Sequence, residues 1–287
     1  MKKRKTSLKL PVPRPTVDTG KLPSDLGKFV ERDTALLKRL GWKKFINSRR
    51  QRGDLSDLRR INHPAVRLLK HYQTHGAPVK FSSQPWSRQD IEKALHRGPH
   101  KSCHEYHQFL SEEFIDMINK QQWVVLPYSE ARKLPNLRLS PPGVVPQRNR
   151  RPRWIVDYSF YGVNADTLDL AAREAMQFGH ALDRILREII LANPDDGPVQ
   201  LMKVDLSDGF YRIDLCVDDI PKLGVLFPTA PGEPKLVAFP LVLPMGWKNS
   251  PPIFSTATET IADLANTKIA SSTESDAPTH ALDDLAA

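Results

Sequence analysis

The sharpest chemical signal in this 287-residue chain is Lys203-Val204-Asp205-Leu206-Ser207-Asp208-Gly209-Phe210-Tyr211-Arg212, an apolar run that ends in a carboxylate and passes into two aromatics. A carboxylate at a strand end is well placed to face a cleft, although an ordinary turn aspartate has the same local pattern. A second segment, Leu243-Pro244-Met245-Gly246-Trp247-Lys248-Asn249-Ser250-Pro251-Pro252-Ile253-Phe254, puts a glycine turn and a lysine directly before a helix start. That arrangement suits an anionic ligand, or a base pair that must approach the backbone closely. It also suits a plain loop-to-helix cap. The third segment is Arg153-Trp154-Ile155-Val156-Asp157-Tyr158, followed by Gly162-Val163-Asn164, downstream of Arg148, Arg150 and Arg151. The forked donors of these arginines match phosphate oxygens, and a solvated basic loop is the alternative.

Other candidates are less organised. His96, His100, Cys103, His104 and His107 crowd together, but they lack the paired cysteines of common structural zinc sites. Trp42, Trp86 and Trp123 flank basic segments and could stack on single-stranded bases or simply pack between helices. No Ser-His-Asp or Cys-His arrangement has a supporting motif, and there is no glycine loop of the Walker type.

The three segments occur in one order within about a hundred residues, and from about Trp123 to Asn266 the chain resembles the fingers and palm of a retroelement reverse transcriptase. The resemblance rests on R-x-x-V-D-Y with G-V-N, on D-x-x-x-G-F-Y, and on L-P-M-G-W-K-N-S-P-x-x-F. It implies that Asp205 is a catalytic residue and a ligand of the divalent metals, with the Leu206 carbonyl as a further oxygen. Mg²⁺ is the implied cofactor, since hard oxygen donors suit it. In such a site two ions about 3.5–4 Å apart activate the primer hydroxyl and stabilise the leaving pyrophosphate. Phe210 matches the steric gate that favours deoxynucleotides, and Arg153 the arginine that grips the triphosphate. Met245 and Gly246 match positions beside the nascent base pair, with Lys248 in the same nucleotide-binding motif. The implied partners are an RNA or DNA template-primer and deoxynucleoside triphosphates. Upstream, ALHRGPHKSCHEYHQFLSEEF looks like the basic connector that precedes this domain in some retrotransposon polyproteins.

The family draws two more metal-binding aspartates from a Y-x-D-D hairpin, and this sequence has none. Ala281-Leu282-Asp283-Asp284 lacks the aromatic and the flanking β-branched runs of a hairpin. A single carboxylate offsets the mutual repulsion of two Mg²⁺ ions poorly. The expectation is therefore a reverse transcriptase fragment with little or no polymerase activity alone, joined in life to the remaining segments of a longer polyprotein. The competing reading is a non-catalytic nucleic-acid-binding remnant that uses its basic N-terminal region.

The elements that must hold these residues are legible in outline. Ser24 opens a helix with Phe29, Leu36, Leu37 and Leu40 on one face, and Ser87 with Asp90 forms a capping box for a helix ending at Gly98. A helix over 108–121 buries Phe109, Leu110, Phe114, Met117 and Ile118, and Trp123–Leu126 follows as a strand. Residues 134–152, with five prolines, no acidic side chain and Arg138 among them, read as an extended basic loop before a strand over 153–157. A helix spans about 171–192, with Phe178, Leu182, Ile185, Leu186 and Ile189 at helical spacing. VQLMKVDL, KLGVLF and LVAFPLVL read as strands, and Ser250 with Pro251 announces a last helix with Ile253, Ala257, Ile261 and Leu264 on its face. The expected fold is α+β, a right-hand polymerase fingers and palm fragment behind a basic, partly disordered and helical N-terminal region. Its divisions are a leader over 1–22, a helical connector over 23–107, a fingers-like region over 108–198, a partial palm over 199–266 and a disordered tail over 267–287.

Composition sets the outer bounds. A hydrophobic content of 40% supports a genuine core, and 25 prolines against 14 glycines exclude coiled-coil and collagen-like architectures. The net charge of +9 is uneven: residues 1–70 hold 20 basic and 6 acidic side chains, for +14, and the other 217 hold 22 and 27, for −5. The N-terminal excess suits a polyanionic partner or a solubilising tail. Cys103 and Cys216 make no secreted disulfide framework, and no run of about 20 apolar residues spans a bilayer. A soluble intracellular protein without membrane contact is expected, cytoplasmic or nuclear, with Lys2-Lys3-Arg4-Lys5 as a possible nuclear address.

Overall fold

The structure, a computed structural model, describes residues 24–50, 57–170, 178–201, 205–229 and 232–272, and the fold is α+β. The leader, residues 171–177 at the start of the expected central helix, residues 202–204 of the expected strand, and the tail from 273 onward lie outside the described residues.

The N-terminal part is helical: α1 (Ser24–Leu40), α2 (Trp42–Ser48), α3 (Val66–His75), α4 (Arg88–Arg97), α5 (Lys101–Glu105) and α6 (His107–Asn119). In α1 the most deeply buried stripe is Leu26, Val30, Asp33 and Leu37, with Phe29, Leu36 and Leu40 half-buried beside it. α4 starts on the expected capping box: the Ser87 hydroxyl accepts from the Asp90 N–H, and the Ser87 N–H donates to the Asp90 carboxylate. All five expected apolar residues of α6 are buried, because their spacing puts them on one face.

A four-stranded sheet forms the centre. β1 (Trp123–Pro127) lies at one edge and a short β2 (Leu139–Ser140) at the other; between them run β5 (Gly224–Phe227) and β6 (Leu236–Pro240), in the order β1-β6-β5-β2. β1 and β6 pair antiparallel from Trp123 opposite Pro240 to Pro127 opposite Leu236, whereas β2 runs parallel to β5. α1 packs against β1. The second sheet is a hairpin of β3 (Pro142–Gln147) and β4 (Arg150–Val156). Trp154 of this hairpin joins it to the centre, its ring 5.1 Å from Phe114 and 5.3 Å from Trp123. One cluster of buried apolar side chains runs from Leu26 to Ile253, so packing is continuous across the 107/108 and 198/199 divisions.

The basic loop expected over 134–152 is instead mostly strand. Its prolines fall where a short strand and a hairpin tolerate them, and Arg138 is buried at 3% exposure rather than solvated. The described parts of VQLMKVDL, residues 199–201 and 205–206, are not strand, and neither pairs with a neighbour in the hydrogen-bond ladder that an extended run needs.

Among the described residues three further α-helices, α7 (Tyr128–Ala131), α8 (Val163–Asp166) and α9 (Phe178–Leu191), precede the long α10 (Ser250–Ser272). On α9 the expected apolar residues Leu182, Ile185 and Leu186 face outward, Leu182 at 62% exposure, with Ile189 half-buried and the Phe178 side chain outside the described residues. Residues 267–272, expected in the disordered tail, continue α10. Only Ile253 of the expected α10 face enters the core; Ala257 and Leu264 line a groove and Ile261 is exposed. Among the described residues no helix is long and apolar enough to cross a membrane.

Candidate functional site

The end of β4, the turn into α8 and the glycine turn before α10 are tied together by one carboxamide. Asn164 donates from Nδ2 to the Gly246 carbonyl at 2.9 Å and accepts at Oδ1 from the Lys248 N–H at 2.9 Å, which clamps the Gly246–Trp247 turn from both sides. Gly246 has φ +90°, and a Cβ there would lie 2.9 Å from the Val156 carbonyl oxygen, so only glycine lets the turn sit against β4. The clamp has three reinforcements. Trp247, 1% exposed, donates its indole N–H to the Thr167 hydroxyl at 3.2 Å; the Asn249 amide donates to the Leu168 carbonyl at 2.8 Å; and the Ser250 hydroxyl donates to the Pro244 carbonyl at 2.6 Å.

The aspartate-containing segment joins this assembly through α10. Gly209–Arg212 forms a 3₁₀ turn in which a Gly209 Cβ would lie 2.7 Å from the Phe254 ring, and Phe210 meets Phe254 edge to face at 5.4 Å. The three segments singled out in the sequence therefore meet, through hydrogen bonds on one side of the glycine turn and an aromatic pair on the other.

The individual residues differ in what they present. Asp205 is exposed, as is Leu206 at 47%. Phe210 is half-buried, its ring held by Phe254, and Met245 is 43% exposed beside the clamped turn. Lys248 turns back into the fold, donating to the Thr167 carbonyl at 2.9 Å and pairing with Asp169 at 2.8 Å. Arg153 is exposed on β4, opposite Val145.

At the hairpin tip Arg148 and Arg150 are exposed, whereas Arg151 pairs with Glu113 of α6 at 2.5 Å and lies over the Phe109 ring. Burial pushes the Glu113 carboxyl up, although Arg151 opposes the shift. Tyr211 is pushed up to about 12, first by burial and then by the negative charges of Asp208 and Glu113, with Arg153 acting against them. A polar cavity of about 560 Å³ opens beside this turn, lined by Arg50, Lys120, Gln121, Asp208, Tyr211 and Arg212.

The implied Mg²⁺ does not fit the donors present. Among the described residues no three His, Cys, Asp or Glu side chains come together in a group that could hold a metal ion, which leaves Asp205 without the further carboxylates that two divalent cations require. The same holds for the histidine and cysteine cluster. Cys103 donates its thiol to the Pro142 carbonyl at 3.1 Å, and burial pushes it up to about 12; His100 contacts Asp157 at 3.2 Å. The three tryptophans are packing residues: Trp123 is fully buried, Trp42 donates to the Val217 carbonyl, and Trp86 stacks edge-on against Tyr161.

Sequence reasoning missed the reach of Asn164 and the ion pair of Arg138. The Arg138 guanidinium meets Asp166 at 2.5 Å and the Ser83 hydroxyl at 2.8 Å, with its flat face 3.8 Å from the Phe81 centroid. Asn164 stood within the G-V-N signal, but nothing local gave its partners more than eighty residues downstream.

Comparison with known proteins finds no matching family model and no matching curated protein.

Proposed function

We propose that the chain is the fingers and part of the palm of a retroelement-type reverse transcriptase, and that it binds template-primer without completing nucleotide transfer by itself. The observation that carries this reading is the Asn164 clamp. It joins G-V-N of the fingers segment to M-G-W-K, whose Met245 and Gly246 the resemblance places beside the nascent base pair, and holds Met245 exposed at their junction. In this reading Met245 and Gly246 form the surface on which the terminal base pair rests, and Arg148, Arg150 and Arg153 contact phosphates from the hairpin. Phe210 is pinned by Phe254 so that its ring can limit the space beside a sugar. The polar cavity at Tyr211 is of a volume that accommodates a nucleotide.

A second reading, a nucleic-acid-binding remnant without turnover, is favoured by the isolated carboxylate at Asp205. The two readings share binding and differ in the response to nucleotide. Purified full chain is expected to bind a labelled template-primer with an affinity that falls steeply as salt rises. It is also expected to be stabilised by the deoxynucleotide that matches the template, and to incorporate no nucleotide with Mg²⁺. Stabilisation by nucleotide separates the first reading from the remnant. Mg²⁺-dependent incorporation abolished in Asp205→Ala would overturn the claim of incompleteness, and absence of template-primer binding would overturn both readings.

A further inference from the structure

The N-terminal excess of positive charge is not one uniform surface. Six of the eight cations over residues 24–50, in and just after α1 and α2, are taken up within the fold: Lys28 by Asp25, Arg32 and Arg49 by Asp33, Lys38 by Glu130, Lys43 by Asp218 and Arg50 by Asp214. Three of those carboxylates come from far along the chain, so much of the charge counted in the sequence is neutralised by folding.

The segment that follows behaves differently. Residues 58–89 contain no Asp or Glu at all. Arg59 and Arg60 lie on a 3₁₀ turn (Asp57–Arg60) and Arg67 and Lys70 on α3; the three arginines are exposed and Lys70 is half-buried. Among the described residues none of the four is paired with a carboxylate in the way the α1 and α2 cations are. On α3, Val66 and Tyr72 are buried and Leu69 faces a groove, which turns Arg67, Lys70, His71 and Thr74 to the opposite side.

We infer that this α3 face is a second nucleic-acid contact, which holds the phosphate backbone without reading sequence. The inference rests on the nucleic-acid reading above and adds to it a surface that shares no residue with the candidate site. Two features favour nucleic acid over other polyanions. Three of the four cations are arginines, whose forked donors match phosphate oxygens. The groove on the inner side of α3, about 340 Å³, is lined by Leu58, Ile61 and Leu69 together with Arg212 and Ile213, so the element that carries the patch packs next to the segment that carries Asp205 and Phe210. A lipid surface fits less well, because the apolar residues Val66 and Leu69 point inward and leave Leu68 as the one exposed large apolar side chain of α3.

The test uses the full chain and a variant with Arg59→Gln, Arg60→Gln, Arg67→Gln and Lys70→Gln. Thermal melting first shows that the variant is folded, as substitutions at such surface positions should leave it. Binding to a blunt DNA duplex of about 20 base pairs is then followed over a salt series, beside a hairpin variant with Arg148→Gln and Arg150→Gln. Each phosphate contact contributes about 0.9 to the slope of log affinity against log salt, so the four-site variant should lose about three to four from that slope. Its affinity at about 0.1 M salt should fall at least about ten-fold. An unchanged slope in the four-site variant, with a reduced one in the hairpin variant, overturns the inference and leaves the fingers reading intact. Wild-type protein that fails to bind any duplex or template-primer overturns the reading itself. Binding to phosphatidylserine vesicles in place of DNA, lost in the four-site variant, overturns the assignment to nucleic acid.

Discussion

Arg138 shows how far a single residue can depart from its local composition. In a run of prolines and arginines it reads as one more solvated cation, yet it is among the most buried polar groups in the fold, fixed by Asp166, Ser83 and the Phe81 ring. For Asp166, burial acts to raise the pKa, but the hydrogen bonds from Ser83, Arg138 and Ser82 outweigh it and bring the carboxyl down to about 2. The unfolded value is about 3.9, so the carboxylate contributes stability that is fully present above about pH 4 and is lost as pH falls toward 2. Arg138→Met should cost about 3 kcal/mol at neutral pH, the lower end for a broken buried pair because Asp166 keeps some access to water. The same variant should lose stability less steeply between about pH 4 and 2 than the wild type, as measured by urea denaturation at each pH.

Among the elements, the short-range ones were legible and the long-range ones were not. The capping box of α4, the buried stripe of α6 and the strands β1, β5 and β6 follow from patterns within a dozen residues. The β3–β4 hairpin was hidden because its prolines and basic tip mimic a loop, and the described ends of the expected strand before Asp205, residues 199–201 and 205–206, carry no ladder because pairing depends on a neighbour that spacing cannot reveal. The candidate site divides the same way: its three segments could be marked in the sequence, but the clamp that unites them joins residues 82 and 84 positions apart. The glycine turn is the element where this matters most. Gly246→Ala would force a left-handed backbone on a residue with a Cβ and drive that atom against the Val156 carbonyl. It should destabilise the protein by about 2 kcal/mol, read as a lower urea midpoint at unchanged slope. If the turn supports the terminal base pair, template-primer affinity should fall further than stability alone explains.

At the scale of the whole molecule, the division between a basic front and a mildly acidic remainder gives way to one packed unit. Lys38, Lys43 and Arg50 reach across to Glu130, Asp218 and Asp214, so the two charge halves are partly spent on each other. What stays outward is narrower and better defined: the hairpin tip on one element and the α3 face on another. The outward apolar stripe of α9 is the other unspent surface, and nothing among the described residues covers it.

The burial of Cys103 gives the molecule a built-in chemical label count. Its sulfur is wholly inaccessible, and its shift to about 12 leaves almost no thiolate at neutral pH, whereas Cys216 is only half-buried. Brief alkylation of the native chain should therefore mark one thiol, at Cys216, and alkylation in strong denaturant should mark two, with intact mass separating the products. Two marks on the native chain would mean that the α5–β3 contact opens readily.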